Sequence, residues 1–140
     1  MKNKGFTLIE LLAVIVILAI IALIATPMIL GVIDTAKRGS AESSALGYVE
    51  SVEKSIMLQQ VNGGDALATG TYYVTSTGDL ASTSATGTKV LDVDFKGAIP
   101  TGTVTVGANS SVTAAELTFA SIHANKVTYN GATGKATIAS

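Results

Sequence analysis

Glu10 is the residue of this chain that most needs a chemical explanation. It interrupts an apolar run, residues 6–33, that carries no other charged side chain. A carboxylate within a membrane-length apolar stretch costs about 2.5 to 3.5 kcal/mol at mid-helix and less toward an end. Such a residue calls for a partner or a task. The Gly5-Phe6 junction is the second chemical feature. A secretory signal has a basic start, a short apolar region and a small-residue cleavage site beyond it. Here the basic start is present as Lys2 and Lys4, but the apolar region is too long and the small residue, Gly5, lies ahead of it. A cut after Gly5 removes both lysines and leaves the whole apolar helix in place.

No catalytic set emerges from the remaining residues. His123 is the only histidine, cysteine is absent, and the serines lie in Thr/Ser-rich stretches without a nucleophile-elbow pattern. The chain therefore reads as a non-enzyme with no cofactor, no thiolate metal site and no disulfide. Asp92 and Asp94 alternate with Leu91, Val93 and Phe95, the period of a half-buried strand. They lack the five or six surrounding oxygen ligands of a calcium loop. Asn109-Ser110-Ser111 fits a glycosylation sequon, and Tyr72, Tyr73 and Tyr129 are available for packing or adhesion. Nine Lys and Arg against ten Asp and Glu give a net charge of −1 without a basic stripe, so there is no clear nucleic-acid site.

The elements that must position these residues follow from the hydropathy pattern. Residues 11–33 hold no charge, enough to span a bilayer core of roughly 30 Å at about 1.5 Å per helical residue. Leu, Ile and Ala fill every face of this segment, and Ala13, Ala19, Ala22 and Ala25 give small surfaces for close helix approach. Pro27 lacks a backbone N–H and Gly31 adds a second weak point, so a kink is expected there. From Asp34 to about Val61 the pattern becomes amphipathic, with Ala41, Ala45, Val49, Val52 and Ile56 on one stripe. Asp34 with Arg38, and Glu50 with Lys54, are acid-then-base pairs four apart. Gly63 and Gly64 end the helix.

Beyond the helix, residues 65–98 read as a connecting region with short strands at Tyr72 to Val74 and Val90 to Phe95. From Thr103 onward, alternation in 103–106, 116–120, 126–129 and 135–138, with turn residues between, predicts an antiparallel meander. Its dry face should cover the Ala41 to Ile56 stripe. The fold class expected is α+β, a long N-terminal α-helix whose amphipathic C-terminal half packs on an antiparallel β-sheet head.

Lys4-Gly5-Phe6-Thr7-Leu8-Ile9-Glu10, followed by the apolar run and Pro27, resembles the processing site and N-terminal helix of type IV pilins and pseudopilins. The match covers roughly the first 35 residues. The resemblance implies a leader at residues 1–5, a transmembrane and filament-core helix at 6–33, its amphipathic continuation at 34–62 and a head at 63–140. It implies that a prepilin peptidase cuts between Gly5 and Phe6 and methylates the new amino group of Phe6. Glu10 of an incoming subunit would then pair with the Phe6 amine of its neighbour. The segment around Pro27 and Gly31 would be a compliant joint, since in the family this stretch can lose helical hydrogen bonds in the fibre.

Partners follow on the same basis: lipid before assembly, the peptidase, an assembly ATPase with its membrane platform, and further copies of the chain in a helical homopolymer. The precursor would cross the membrane once with its N-terminus cytoplasmic and later leave it for an extracellular pilus. That orientation comes from the resemblance, because Lys2 and Lys4 on one side nearly balance Lys37 and Arg38 on the other. The leading function is a pilus subunit serving adhesion, motility and surface attachment. A type II secretion or DNA-uptake pseudopilin, and a membrane-anchored binding domain, are the alternatives. A sortase-linked subunit is disfavoured because the chain ends GKATIAS without the corresponding signal.

Overall fold

The computed structural model describes residues 5–139. Lys2 and Lys4, the basic start of the expected leader, lie outside the described residues. One helix, α1 (Leu8–Val61), is followed by β1 (Gly70–Val74), β2 (Leu80–Ala81), β3 (Lys89–Leu91), β4 (Thr101–Val106), β5 (Val112–Phe119), β6 (His123–Asn130) and β7 (Lys135–Ile138). Contacts divide the chain into two units, one ending at Ala36 and one beginning at Lys37.

The first unit is the apolar part of α1. Every residue from Leu8 to Ile33 is exposed except the half-buried Ala25. Burying such side chains is worth about 1.5 to 3 kcal/mol for each Leu or Ile, so a surface this apolar favours apolar surroundings. It is the one described helix long and apolar enough to cross a membrane. The helix runs unbroken through Pro27 and Gly31. Two threonines flank this stretch: Thr26 Oγ1 donates to the Ala22 carbonyl at 2.7 Å and Thr35 Oγ1 to the Gly31 carbonyl at 3.0 Å. Each hydroxyl adds a second bond to a carbonyl one turn back, as Ser and Thr do inside helices.

The second unit contains the rest of α1 and a seven-stranded antiparallel sheet in the order β3-β2-β1-β4-β5-β6-β7. Ala41, Ala45, Val49, Val52 and Ile56 are all buried, as their spacing predicts. Tyr48, which that stripe omits, is also fully buried. Its hydroxyl donates to the Gly78 carbonyl at 2.6 Å, and its ring meets Phe95 edge-on at 5.3 Å. Burial first, then the charge of Asp79, pushes the Tyr48 phenol up, so it remains a neutral donor.

Two helix carboxylates pin the sheet backbone. The Ile138 N–H donates to Glu42 Oε1 and the Val112 N–H to Glu53 Oε1, both at 3.0 Å. Each pairs an otherwise orphan strand donor. No ion pair joins Glu50 to Lys54, the acid-then-base pair on this half of the helix, among the described residues. The helix ends in a Schellman motif: the Gly64 N–H bonds the Gln59 carbonyl at 2.9 Å and the Gly63 N–H the Gln60 carbonyl at 3.1 Å. Gly63 sits at φ +81°, where a Cβ would be strained.

The sheet is larger than the meander. Residues 65–98, expected to be mostly connection, supply three of its strands, and the chain crosses after β3 so that β4 lies beside β1. β3 spans Lys89–Leu91, so only Val90 and Leu91 of the expected 90–95 strand belong to it; Asp92 to Phe95 run on without a strand partner. Their alternation nonetheless holds, with Leu91 and Val93 buried and Asp92 and Asp94 exposed.

Candidate functional site

The chemistry-bearing residues converge on the start of α1. Thr7 is its N-cap and Glu10 its third residue. The Thr7 N–H and the Thr7 hydroxyl each donate to Glu10 Oε2 at 2.8 Å, and the Glu10 N–H donates to Thr7 Oγ1 at 3.3 Å. This reciprocal pairing is a capping box, in which two donors that a helix start leaves orphaned satisfy one another. It places a carboxylate where the helix dipole is positive and offsets part of the cost of a charge beside an apolar run. All the described bonds to the carboxylate use Oε2, leaving Oε1 open toward the surroundings.

Phe6 is 92% exposed, immediately outside this cap. Gly5 is exposed as well, and a Cβ built on it would meet nothing within 4 Å. Packing among the described residues therefore does not require glycine at this position. Gly31 is in the same situation within the helix.

Sequence reasoning singled out Gly5, Phe6 and Glu10, and the structure brings these together at one helix end. Pro27 and Gly31 lie further along the helix. Thr7 was missed, although Thr-x-x-Glu ahead of an apolar run is a readable cap signature. Elsewhere, His123 opens β6 and accepts the Asn125 N–H on Nδ1 at 3.1 Å. Asn109 and Ser110 occupy the β4–β5 turn, with Ser110 at φ +57° and receiving a 2.9 Å bond from Gln60 Nε2. Tyr72 is buried and donates to the Ala68 carbonyl at 2.6 Å, so of the three tyrosines available for packing or adhesion this one serves packing. Among the described residues, no cluster of His, Asp or Glu is arranged to hold a metal.

A polar cluster of a different kind locks the β1–β2 turn. Asp79 is buried; its Oδ1 accepts the Val93 N–H at 3.0 Å, its Oδ2 accepts the Thr77 hydroxyl at 2.8 Å, and Lys89 Nζ lies 3.6 Å from Oδ2. Burial works to raise the carboxyl, but those bonds and the Lys89 charge outweigh it and hold Asp79 below the usual aspartate range. The Lys89 ammonium is raised in turn by its bond to Asp92 and the charge of Asp79. The cluster is structural: it ties the turn under Tyr48 to the segment that carries Val93.

The family profile described as the prokaryotic N-terminal methylation motif matches residues 1–26. No curated protein and no solved structure matches the chain. Residues 1–26 thus carry the N-terminal methylation motif, the signature of type IV pilin-like prepilins, at the head of the long helix and antiparallel sheet described above.

Proposed function

We propose that this chain is a structural pilin subunit, cut between Gly5 and Phe6 by a prepilin peptidase, methylated on the Phe6 amine and polymerised into type IV pili. The observation that carries the reading is the methylation motif at residues 1–26 together with an apolar helix segment, 8–33, that is exposed almost throughout among the described residues. Lipid covers such a helix in the precursor and copies of itself cover it in a fibre. The two environments are similarly apolar, so the transfer between them is not prohibitive. An external assembly ATPase and membrane platform drive extraction.

Gly5 supports the same reading. A glycine that the packing of the described residues does not require is explained by an agent outside the fold, and a peptidase needs an unobstructed residue on the leader side of its cut. Cleavage leaves the Thr7–Glu10 cap intact and creates a cation one residue before it. Glu10 Oε1 is then available to the Phe6 amine of a neighbouring subunit. In an apolar core an unpaired charge of either sign is heavily penalised, so the pair selects register more than it adds stability. Pro27 and Gly31 form the compliant joint, and adhesion, motility and surface attachment are the tasks of the polymer.

Mass spectrometry of the mature protein tests this directly. A chain beginning with N-methylated Phe6 is expected, and Gly5→Arg should leave full-length precursor in the membrane and no fibres. Normal processing of Gly5→Arg, or mature protein that retains Met1 to Gly5, would overturn the proposal in favour of a membrane-anchored domain.

A further inference from the structure

The two ends of the sheet are chemically different. At one end β3 is an edge strand, and with the Asp92 to Phe95 segment and the last two turns of α1 it borders a groove of about 440 Å³. Leu58, Val90 and Leu91 give this groove an apolar wall, and Gln59, Asp92, Asp94 and the cation Lys89 give it a polar one. Leu58 remains 51% exposed, and Val61, one turn on, 82%. The acidic wall is only partly neutralised. Lys89 Nζ lies 3.0 Å from Asp92 Oδ2 and is shared with Asp79, whereas Asp94 has no cation within salt-bridge distance among the described residues.

At the opposite end β7 is the edge strand. Its outer side is not open for strand addition along its length, because the Ile138 N–H is taken by Glu42. What this end presents is Lys135, exposed and without an acidic partner among the described residues, next to a turn of small residues at 131–134. The nearby Lys126 is already bridged to Glu116 at 2.8 Å.

We propose that the groove beside β3 receives Lys135 from β7 of a second copy of the chain. A lysine suits a groove with this division of surface: its aliphatic stem lies along Leu58 and Val90 while its ammonium reaches Asp94 and Asp92. The small residues of the 131–134 turn let the donor approach without collision. The contact joins two different patches of the same molecule, so it is heterologous, and a heterologous contact that does not close propagates as an open helical array. The inference rests on the reading of the chain as a polymer subunit and supplies a contact between heads, separate from the N-terminal helix.

Charge reversal in cells that make the fibre tests the contact. Asp94→Lys and Lys135→Glu should each lower fibre yield about tenfold, since like charges facing across an interface cost more than about 1.4 kcal/mol, and the double variant should recover most of it. Because the chain contains no cysteine, Asp94→Cys combined with Lys135→Cys gives a second readout. A short bismaleimide applied to intact fibres should produce a ladder of dimers, trimers and higher multiples. Wild-type-like fibres from both reversals, a double variant no better than the singles, cross-linking that stops at dimers, or cross-links to a different protein would each overturn the contact while leaving polymerisation standing. Absence of wild-type fibres would overturn the polymer reading and this contact with it.

Discussion

Thr7 and Glu10 close the first turn of α1 on each other, with the Thr7 hydroxyl and N–H both 2.8 Å from one carboxylate oxygen. The carboxylate therefore has a local role before any neighbour arrives. Removing a Ser or Thr cap costs about 0.5 to 2 kcal/mol. Thr7→Val should accordingly raise the hydrogen-exchange rate of the Glu10 amide in micelles about fivefold, the equivalent of about 1 kcal/mol. Thr7→Ser, which keeps the hydroxyl, should leave it near the wild-type rate. Equal rates in all three proteins would show that the cap does not hold in the membrane-like state.

The cap also shows how to separate the observed capping by Glu10 from the intersubunit pairing proposed for it. Glutamine serves at this position of a capping box nearly as well as glutamate, but it brings no charge. Glu10→Gln is expected to be processed and held in the membrane with its helix start intact, and to make few fibres, much like Glu10→Ala. Electron microscopy of both variants decides the matter. Abundant fibres from Glu10→Gln but few from Glu10→Ala would assign the residue to capping and remove it from intersubunit pairing.

Much of this was legible in the sequence because it is local. The stripe from Ala41 to Ile56 is set by spacing along one helix, and Gly63-Gly64 ends it through a backbone conformation that glycine favours. Glu10 and Gly5 stood out because each breaks a local pattern. Tyr48 does not stand out because its neighbour Val49 already fills that turn of the stripe; the partners that hold it, Gly78 and Phe95 among them, are distant in sequence. The short strands of 65–98 escaped for the same reason. A two-residue strand such as Leu80–Ala81 has no periodicity to read, and it exists because β1 and β3 flank it. Thr7 was overlooked although its signal was present, since a charge read for function was not also read for capping.

Asp79 makes the stability of the second unit depend on acid. Its carboxyl is held below the ordinary aspartate value of 3.8 in the folded state. A lowered folded-state value means that its contribution is complete above the unfolded value and is lost as pH falls through the folded one. The thermal midpoint of the detergent-solubilised chain should therefore fall as pH drops below about 4. Asp79→Asn should lie below wild type at neutral pH and converge on it in acid. A constant gap between the two proteins over that range would remove Asp79 from the acid response.

Gly102 tests the sheet itself. It lies in β4 at φ +140°, opposite Leu117 of β5, and a Cβ there would collide with the Glu116 carbonyl oxygen. The collision is with backbone, which cannot swing away as a long side chain can. Gly102→Ala thus combines an unfavourable backbone region with displacement of the β4–β5 ladder, and it should destabilise the chain by about 2 to 4 kcal/mol in chemical denaturation followed by tyrosine near-UV circular dichroism. Gly39 is the matched control. It lies inside α1 without positive φ, and an added Cβ meets nothing within 4 Å. Replacing a helix glycine by alanine removes an entropic cost of about 0.5 to 1 kcal/mol, so Gly39→Ala should shift the midpoint in the opposite direction. Two substitutions of the same chemical size with effects of opposite sign would separate the requirement for a bare backbone at the β4–β5 contact from the general cost of glycine. A small effect at Gly102 would mean that the two strands can separate there without loss of the core.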